Sequence, residues 1–238
     1  MFLYDITQSD ELNEEGFFDY TRLSTGIRRL DDILAGGLNR GELIILGARP
    51  AIGKTTFAVN LAINAAMQEQ RVFFLSCEIS PQALALKFAL RMKTSIRGLS
   101  QYEWTEFIEI DVERSVDSVV RSVTNDTPPD LVIIDYIQFL ATGLENRNYA
   151  VGDIGARLKR ICNDNNIIVF ALAQVSRQGS EHPTLVDLKD SGNLEQDADV
   201  VMFLNRNDRG LNLSVKKNRN GELGEVALNF IARESAIY

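Results

Sequence analysis

The stretch Leu43-Ile-Ile-Leu-Gly-Ala-Arg-Pro-Ala-Ile-Gly-Lys-Thr-Thr56 decides how the rest of the chain is read. Leu43–Leu46 is an apolar run without a polar face, as expected of a strand covered on both sides. Thr55–Met67 reads as a helix, and a glycine-bounded turn joins the two. Strand, turn and helix in this order offer an anion a ring of backbone N–H groups and a helix N-terminus. Gly53, Lys54 and Thr55 complete the pattern of a nucleoside triphosphate loop, the lysine for β- and γ-phosphate oxygens and the hydroxyl for Mg²⁺. The first glycine of G-x-x-x-x-G-K-[ST] would fall at position 48, which is Ala48, so the strict pattern is missed by one methyl group. The candidate cradle is Ala48, Arg49, Pro50, Ala51, Ile52, Gly53, Lys54, Thr55 and Thr56.

Outward from this loop, buried runs alternate with helical segments. Val72–Leu75, Phe107–Ile110, Leu131–Ile134 and Ile167–Ala173 read as strands; Pro81–Met92, Ser115–Val123 and Val151–Cys162 read as helices. Val116, Val119, Val120 and Val123 keep the helical repeat despite poor propensity, and Ser80 before Pro81 is an N-cap signal. Such alternation predicts an α/β fold with a mostly parallel central sheet covered by helices on both faces. The chain then changes character: Asp199–Leu204, Leu211–Lys217 and Leu223–Phe230 read as strands without helices between them. An antiparallel C-terminal extension follows, with Asn220-Gly221 as a tight turn and Lys217, Arg219 and the turn projecting from its end.

Three strand ends carry polar residues suited to phosphate chemistry. Asp135 closes Leu131-Val-Ile-Ile-Asp and is placed to hold a Mg²⁺ shell. Glu78 follows the Val72 strand, where a carboxylate either orients and deprotonates a water or begins a helix. Gln174 serves there either to sense a γ-phosphate or to satisfy a strand end.

Composition narrows the class. The 238 residues suffice for a large core. Cys77 and Cys162 belong to no C-x-x-C pair, and the single histidine, His182, excludes multi-histidine metal sites. No run approaches the roughly 18–20 apolar residues of a membrane span, and Met1–Tyr20 lacks the order of a signal peptide, so a cytoplasmic protein with no membrane partner is expected. The net charge of −8 opposes nucleic-acid binding on average. Six acidic and no basic residues in Met1–Tyr20 carry most of it, leaving 25 basic against 27 acidic groups in the remainder. The same twenty residues hold Phe2, Tyr4, Phe17, Phe18 and Tyr20, so residues 1–20 read as an acidic, aromatic arm and residues 21–238 as the main domain. The arm either packs on a partner or is a frayed end touching its own domain.

These residues resemble the RecA-like motor domain of DnaB-type replicative helicases. The resemblance runs from Thr25 to about Phe230: Thr25-Gly26, Leu30-Asp31, Gly36-Gly-Leu38, the loop through Thr55 with its alanine, Ser76-Cys-Glu-Ile-Ser80, Val132-Ile-Ile-Asp-Tyr136 and Ala173-Gln-Val-Ser-Arg177. Asp187-Leu-Lys-Asp-Ser-Gly192, Glu195-Gln-Asp-Ala-Asp199 and Lys217-Asn-Arg-Asn-Gly221 complete it. It implies a RecA-like P-loop NTPase fold and an ATP- and Mg²⁺-dependent DNA helicase, assembled as a hexameric ring on single-stranded DNA during replication. It implies Lys54 and Thr55 on phosphates and Mg²⁺, Asp135 on the metal, Glu78 as catalytic base and Gln174 as sensor. Lys217 and Arg219 resemble the basic pair that enters a neighbouring subunit's nucleotide site. Lys189, Asp190, Ser191 and Gly192 resemble the channel loop that follows DNA. Arg147, Arg157, Lys159 and Arg160 read as a solvated helix face.

The family carries a helical domain before this motor, where only the short arm stands in this sequence, and the short Ser176–Pro183 and Asn205–Gly210 loops suit a compact phage or mobile-element protein. The arm is expected to meet an adjacent subunit, a helicase loader or another replication protein. Two other readings share the phosphate loop: a RecA/KaiC-like ATPase that assembles for recombination or regulation without unwinding, and a subunit that modulates a host helicase by mixing into its ring. An inert modulator has no need of Glu78 and Asp135.

Overall fold

The computed structural model describes residues 22–143, 147–175, 183–185, 187–188, 194–208 and 210–238. The arm, residues 1–20, and the loop Lys189, Asp190, Ser191 and Gly192 lie outside the described residues. In chain order the strands are β1 (Leu43–Ala48), β2 (Val72–Ser76), β3 (Ile108–Asp111), β4 (Leu131–Asp135), β5 (Ile168–Gln174), β6 (Val200–Asn207), β7 (Gly210–Asn218) and β8 (Gly224–Leu228), then a small ribbon of β9 (Phe230–Ile231) and β10 (Ala236–Ile237). The helices are α1 (Arg28–Ile33), α2 (Lys54–Met67), α3 (Pro81–Arg91), α4 (Val116–Val123), α5 (Arg147–Asn165) and the short α6 (Leu194–Asp197).

Eight strands make one sheet in the order β3-β2-β4-β5-β1-β6-β7-β8. The first six run parallel, and β7 and β8 return antiparallel. Every residue of β1, β2 and β4 is buried, because side chains that alternate in direction find a packed layer on either side. Ile44 and Leu46 of β1 face α2, α3 and Trp104, whereas Leu43 and Ile45 face the valines of α4 and the apolar stripe of α5. Burying a Leu, Ile or Phe is worth roughly 1.5–3 kcal/mol each, so these two layers dominate the stability of the domain.

Local signals explain the boundaries. Ser80 caps α3 by accepting from Ala83 N, with Pro81 at the first helical position, and Ser115 caps α4 from just outside it. The largest difference from expectation is α5, which runs from Arg147 to Asn165 where the apolar repeat marks only Val151–Cys162; Tyr149, Asn163, Asp164 and Asn165 in the added turns are exposed and leave no periodic trace. α1 and the β9–β10 ribbon are too short to leave a periodic pattern in the sequence. The β7–β8 connection is also wider than a two-residue turn. Its last pair is Val215 with Gly224, and the intervening segment lies across the end of α1, where Glu222 N donates to Ile33 O.

Candidate functional site

The carboxyl ends of β1, β2, β4 and β5 share one edge: Ala48 is in register with Gln174, and Ser76 with Asp135. β1 lies between β5 and β6, and ligands of open α/β sheets bind outside such carboxyl ends.

β1 reaches this edge through Gly47, where a Cβ would stand 2.6 Å from the Phe203 ring. The chain then bends through Ala51 (φ 63°) and Gly53 (φ 126°) and enters α2 at Lys54. Only glycine takes the second of these conformations without strain. Gly53 O accepts from Phe57 N, while the first N–H groups of α2 face the loop with no intrahelical partner, as at any helix start. A cleft of about 380 Å³ opens against the loop, lined by Arg49, Ile52 and the β6 end from Leu204 to Asp208.

Lys54 is nearly buried, and its Nζ donates to Ala48 O at 2.9 Å and Arg49 O at 3.3 Å. Burial holds its ammonium below the usual lysine range, and the charges of Asp135 and Glu78 oppose that shift. Thr55 Oγ1 donates to Asp135 Oδ2 at 2.7 Å. Asp135 is 1% exposed, and its Oδ1 has no hydrogen-bond partner. Burial pushes this carboxyl up to about 6; the Thr55 bond and the charges of Lys54 and Lys87 oppose the shift, and Glu78 adds to it. An unsatisfied buried carboxylate oxygen beside a threonine hydroxyl fits a divalent cation that arrives with a phosphate ligand. Among the described residues no cluster of three or more histidine, cysteine, aspartate or glutamate side chains is built to hold a metal by protein ligands alone.

Glu78 stands exposed two residues beyond β2. Its backbone neighbour is held from two sides: Cys77 N donates to Asp135 O at 2.9 Å, and Arg114 Nε donates to Cys77 O at 2.9 Å. The Arg114 guanidinium lies 4.4 Å from the centre of the Phe139 ring. Gln174 ends β5 with its side chain exposed, and its backbone is clamped by Gln138, which donates to Gln174 O at 2.9 Å and accepts from Gln174 N at 3.2 Å. Neither Arg114 nor Gln138 was singled out from the sequence. The one available signal was that Gln138 closely follows Asp135.

Lys217 and Arg219 lie at the opposite edge. Lys217 is in register with Val201, which pairs on its other side with Ile45, and Arg219 N donates to Asp199 O beside Leu43. Ala48 lies five strand positions beyond Leu43, roughly 16 Å of sheet. They do not project freely as the sequence suggests: Lys217 Nζ donates to Glu195 O at 2.7 Å, Arg219 donates to Gln196 O at 2.8 Å and pairs with Asp199 at 3.1 Å, and Asn220 donates to Glu42 at 2.7 Å. Backbone carbonyls and carboxylates at the sheet end draw these side chains back. Lys159 likewise departs from the solvated face expected of it and turns inward to Gly41 O and Asp199, whereas Arg157 meets the exposed Asp117 as a solvated face would.

Among the described residues no helix is long and apolar enough to cross a membrane. The family model of the DnaB-like helicase C terminal domain matches residues 22–103 and 103–237. A probable plasmid replicative DNA helicase of Chlamydia trachomatis is 33% identical, covering 94% of this chain and 56% of that protein. The replicative DNA helicase DnaC of Bacillus subtilis is 30% identical over 90% of this chain and 55% of its own length. The chain thus spans about half the length of the curated relatives it matches. Among solved structures, an ATPase domain superposes with a TM-score of 0.78 at 26% identity, covering 98% of this chain and 94% of that one. A DnaB-like replicative helicase studied with primase gives 0.80 at 25%, covering 98% and 65%.

Proposed function

The chain belongs to the DnaB-like helicase C terminal domain family, and from that premise we propose that it is an ATP-hydrolysing motor that acts between copies of itself and draws single-stranded DNA through a hexameric ring during replication. The observation that carries this reading is the Thr55–Asp135 bridge, with Asp135 Oδ1 buried and unsatisfied beside a lysine held by its own loop. The loop would hold the phosphates of ATP, and the cleft beside Arg49 and Ile52 is open to the rest of the nucleotide. Mg²⁺ would be held by Thr55 and Asp135 and supplies charge neutralisation on the phosphates.

The chain's own residues then divide the work. Lys54 leaves the carbonyls of Ala48 and Arg49 for phosphate oxygens, which offer a full negative charge in place of two dipoles. Glu78 orients the attacking water and takes its proton, and Gln174 reports the γ-phosphate to the sheet edge. Arg219 stands a sheet's length from its own loop and Lys217 about half that, and both would be received by a second copy. Such head-to-tail contacts are heterologous and close into a ring when the rotation permits. An arginine supplied in this way is worth 10³–10⁵ in rate, on the order seen for other NTPases. Lys189–Gly192 would offer backbone N–H groups and one ammonium per subunit to successive DNA phosphates.

The test is ATP hydrolysis across protein concentration, with and without single-stranded DNA, for the chain and for Lys54→Ala. Hydrolysis that rises with concentration and DNA and vanishes in the variant is expected. A chain that hydrolyses no ATP under any of these conditions overturns the reading.

A further inference from the structure

Asp199 is a buried carboxylate, 4% exposed, to which the proposed mechanism gives no role. Its Oδ2 accepts from Leu43 N at 2.8 Å and pairs with Lys159 Nζ at 2.7 Å, and its Oδ1 pairs with Arg219 at 3.1 Å. The backbone repeats the connection, since Asp199 N donates to Leu43 O and Arg219 N donates to Asp199 O. One residue therefore grips the first position of β1, whose other end is the phosphate loop, and also the guanidinium beyond the end of β7.

We propose that Asp199 is a positioning residue for Arg219, holding the guanidinium ready for a neighbouring copy's nucleotide and tying its place to the chain's own β1. This rests on the reading of Arg219 as a group supplied between subunits. Arg219 is 47% exposed at its side chain and spends one N–H on Asp199 and one on Gln196 O. A guanidinium has five donors, so it can stay on the carboxylate while its remaining N–H groups reach outward. Because the carboxylate is buried and fixed to β1 by Leu43 N, with Asp199 N bonded back to Leu43 O, it does not follow the arginine; the arginine is held to it.

The test is steady-state ATP hydrolysis by the assembled chain and five variants, four single substitutions and one double, with thermal unfolding measured in parallel. Asp199→Asn is expected to lower kcat about tenfold to a hundredfold, the range set by misplacing a catalytic group by about 1 Å, with KM for ATP changed far less. In the Arg219→Ala background the same substitution should lower kcat no further. Mixing Asp199→Asn chains with Lys54→Ala chains, which bring an intact arginine and a dead loop, should raise the rate per Asp199→Asn chain. Lys159→Met removes the other ion-pair partner and separates folding from positioning: its thermal midpoint should fall while kcat holds.

Additive losses in the double variant, no recovery on mixing, or a Lys159→Met kcat as low as that of Asp199→Asn overturns the proposal and makes Asp199 a structural pin. An Arg219→Ala chain as active as the parent overturns the intersubunit reading beneath it. A parent chain without hydrolysis overturns the proposed function itself.

Discussion

Thr55 Oγ1 and Asp135 Oδ2 are 2.7 Å apart, so a single hydroxyl fastens the first turn of α2 to the end of β4. Removing it leaves a buried carboxylate with both oxygens unsatisfied, at a cost of about 1–3 kcal/mol. Thr55→Ala is expected to lower the thermal midpoint by several degrees and abolish ATP hydrolysis, while Thr55→Ser keeps the midpoint. Parallel melting curves and rates for the two variants check this.

Asp135 gives the nucleotide-free chain a pH dependence whose sign follows from burial. Its folded value of about 6 lies above the ordinary aspartate range. Between about pH 4 and 6 the folded chain keeps a proton that the unfolded chain has released. The stabilisation is complete below that window and is lost as pH rises through it, by roughly 3 kcal/mol for a shift of about two units. Asp135→Asn removes the titration, so its unfolding free energy should change less between pH 4 and 7 and exceed the parent's at pH 7, with hydrolysis lost. Denaturant melts across that range decide it, and identical slopes for both chains would refute it.

Gly47 marks where a methyl group is excluded by packing. A Cβ there would meet the Phe203 ring at 2.6 Å and Val175 Cγ1 at 3.2 Å. Gly47→Ala is expected to cost about 1–3 kcal/mol, as overpacking does, and Phe203→Leu in the same chain should return part of it. Gly53→Ala meets no neighbour within 4 Å but is strained at φ 126°. Its cost is therefore backbone strain of about 1–3 kcal/mol that no second-site change relieves. A double-mutant cycle at 47 and 203 with Gly53→Ala as control distinguishes the two causes.

The fold was legible because its determinants are local and repeated. β-Branched runs buried on both faces leave no alternation, and the valines of α4 mark one face of a helix. The phosphate edge was legible for a related reason: Gly53, Lys54 and Thr55 are contiguous, and Asp135, Glu78 and Gln174 each follow a strand that the pattern already locates. The opposite edge was not. Asp199 meets Leu43 across 156 positions and Lys159 across the sheet edge, and no spacing rule reports a contact made by register. Arg114 was illegible in the same way, because its partner is a backbone carbonyl that every residue possesses.

Arg114 is expected to act on rate more than on binding. Its Nε donates to Cys77 O while Cys77 N donates to Asp135 O, so the peptide that carries Glu78 is fixed on one side by β4 and on the other by a guanidinium over Phe139. Lysine keeps the charge but not the planar donor or the flat contact with the ring. Under the proposed function, Arg114→Lys should lower kcat about tenfold, within the range that small misplacements produce, and leave KM for ATP within a factor of about two. A loss confined to KM would place Arg114 at the nucleotide instead.

Cys77 and Cys162 report opening of the core. Burial pushes both thiols up to about 12, Cys77 further by the Asp135 charge, with Arg114 opposing at Cys77 and Lys159 at Cys162. The thiolate is the reactive form, so at pH 8 neither residue in the folded chain should react readily with iodoacetamide. The obstacle is both electrostatic and steric, since both cysteines are buried in the same core layer, Cys77 just beyond β2 and Cys162 on the inner face of α5. Both should react together in denaturant, and their modification under native conditions should follow the population of the open chain. Mass spectrometry after timed alkylation measures this directly. Modification of Cys77 well before Cys162 would mean that the β2 edge beside Glu78 opens on its own, which the two bonds holding its peptide argue against.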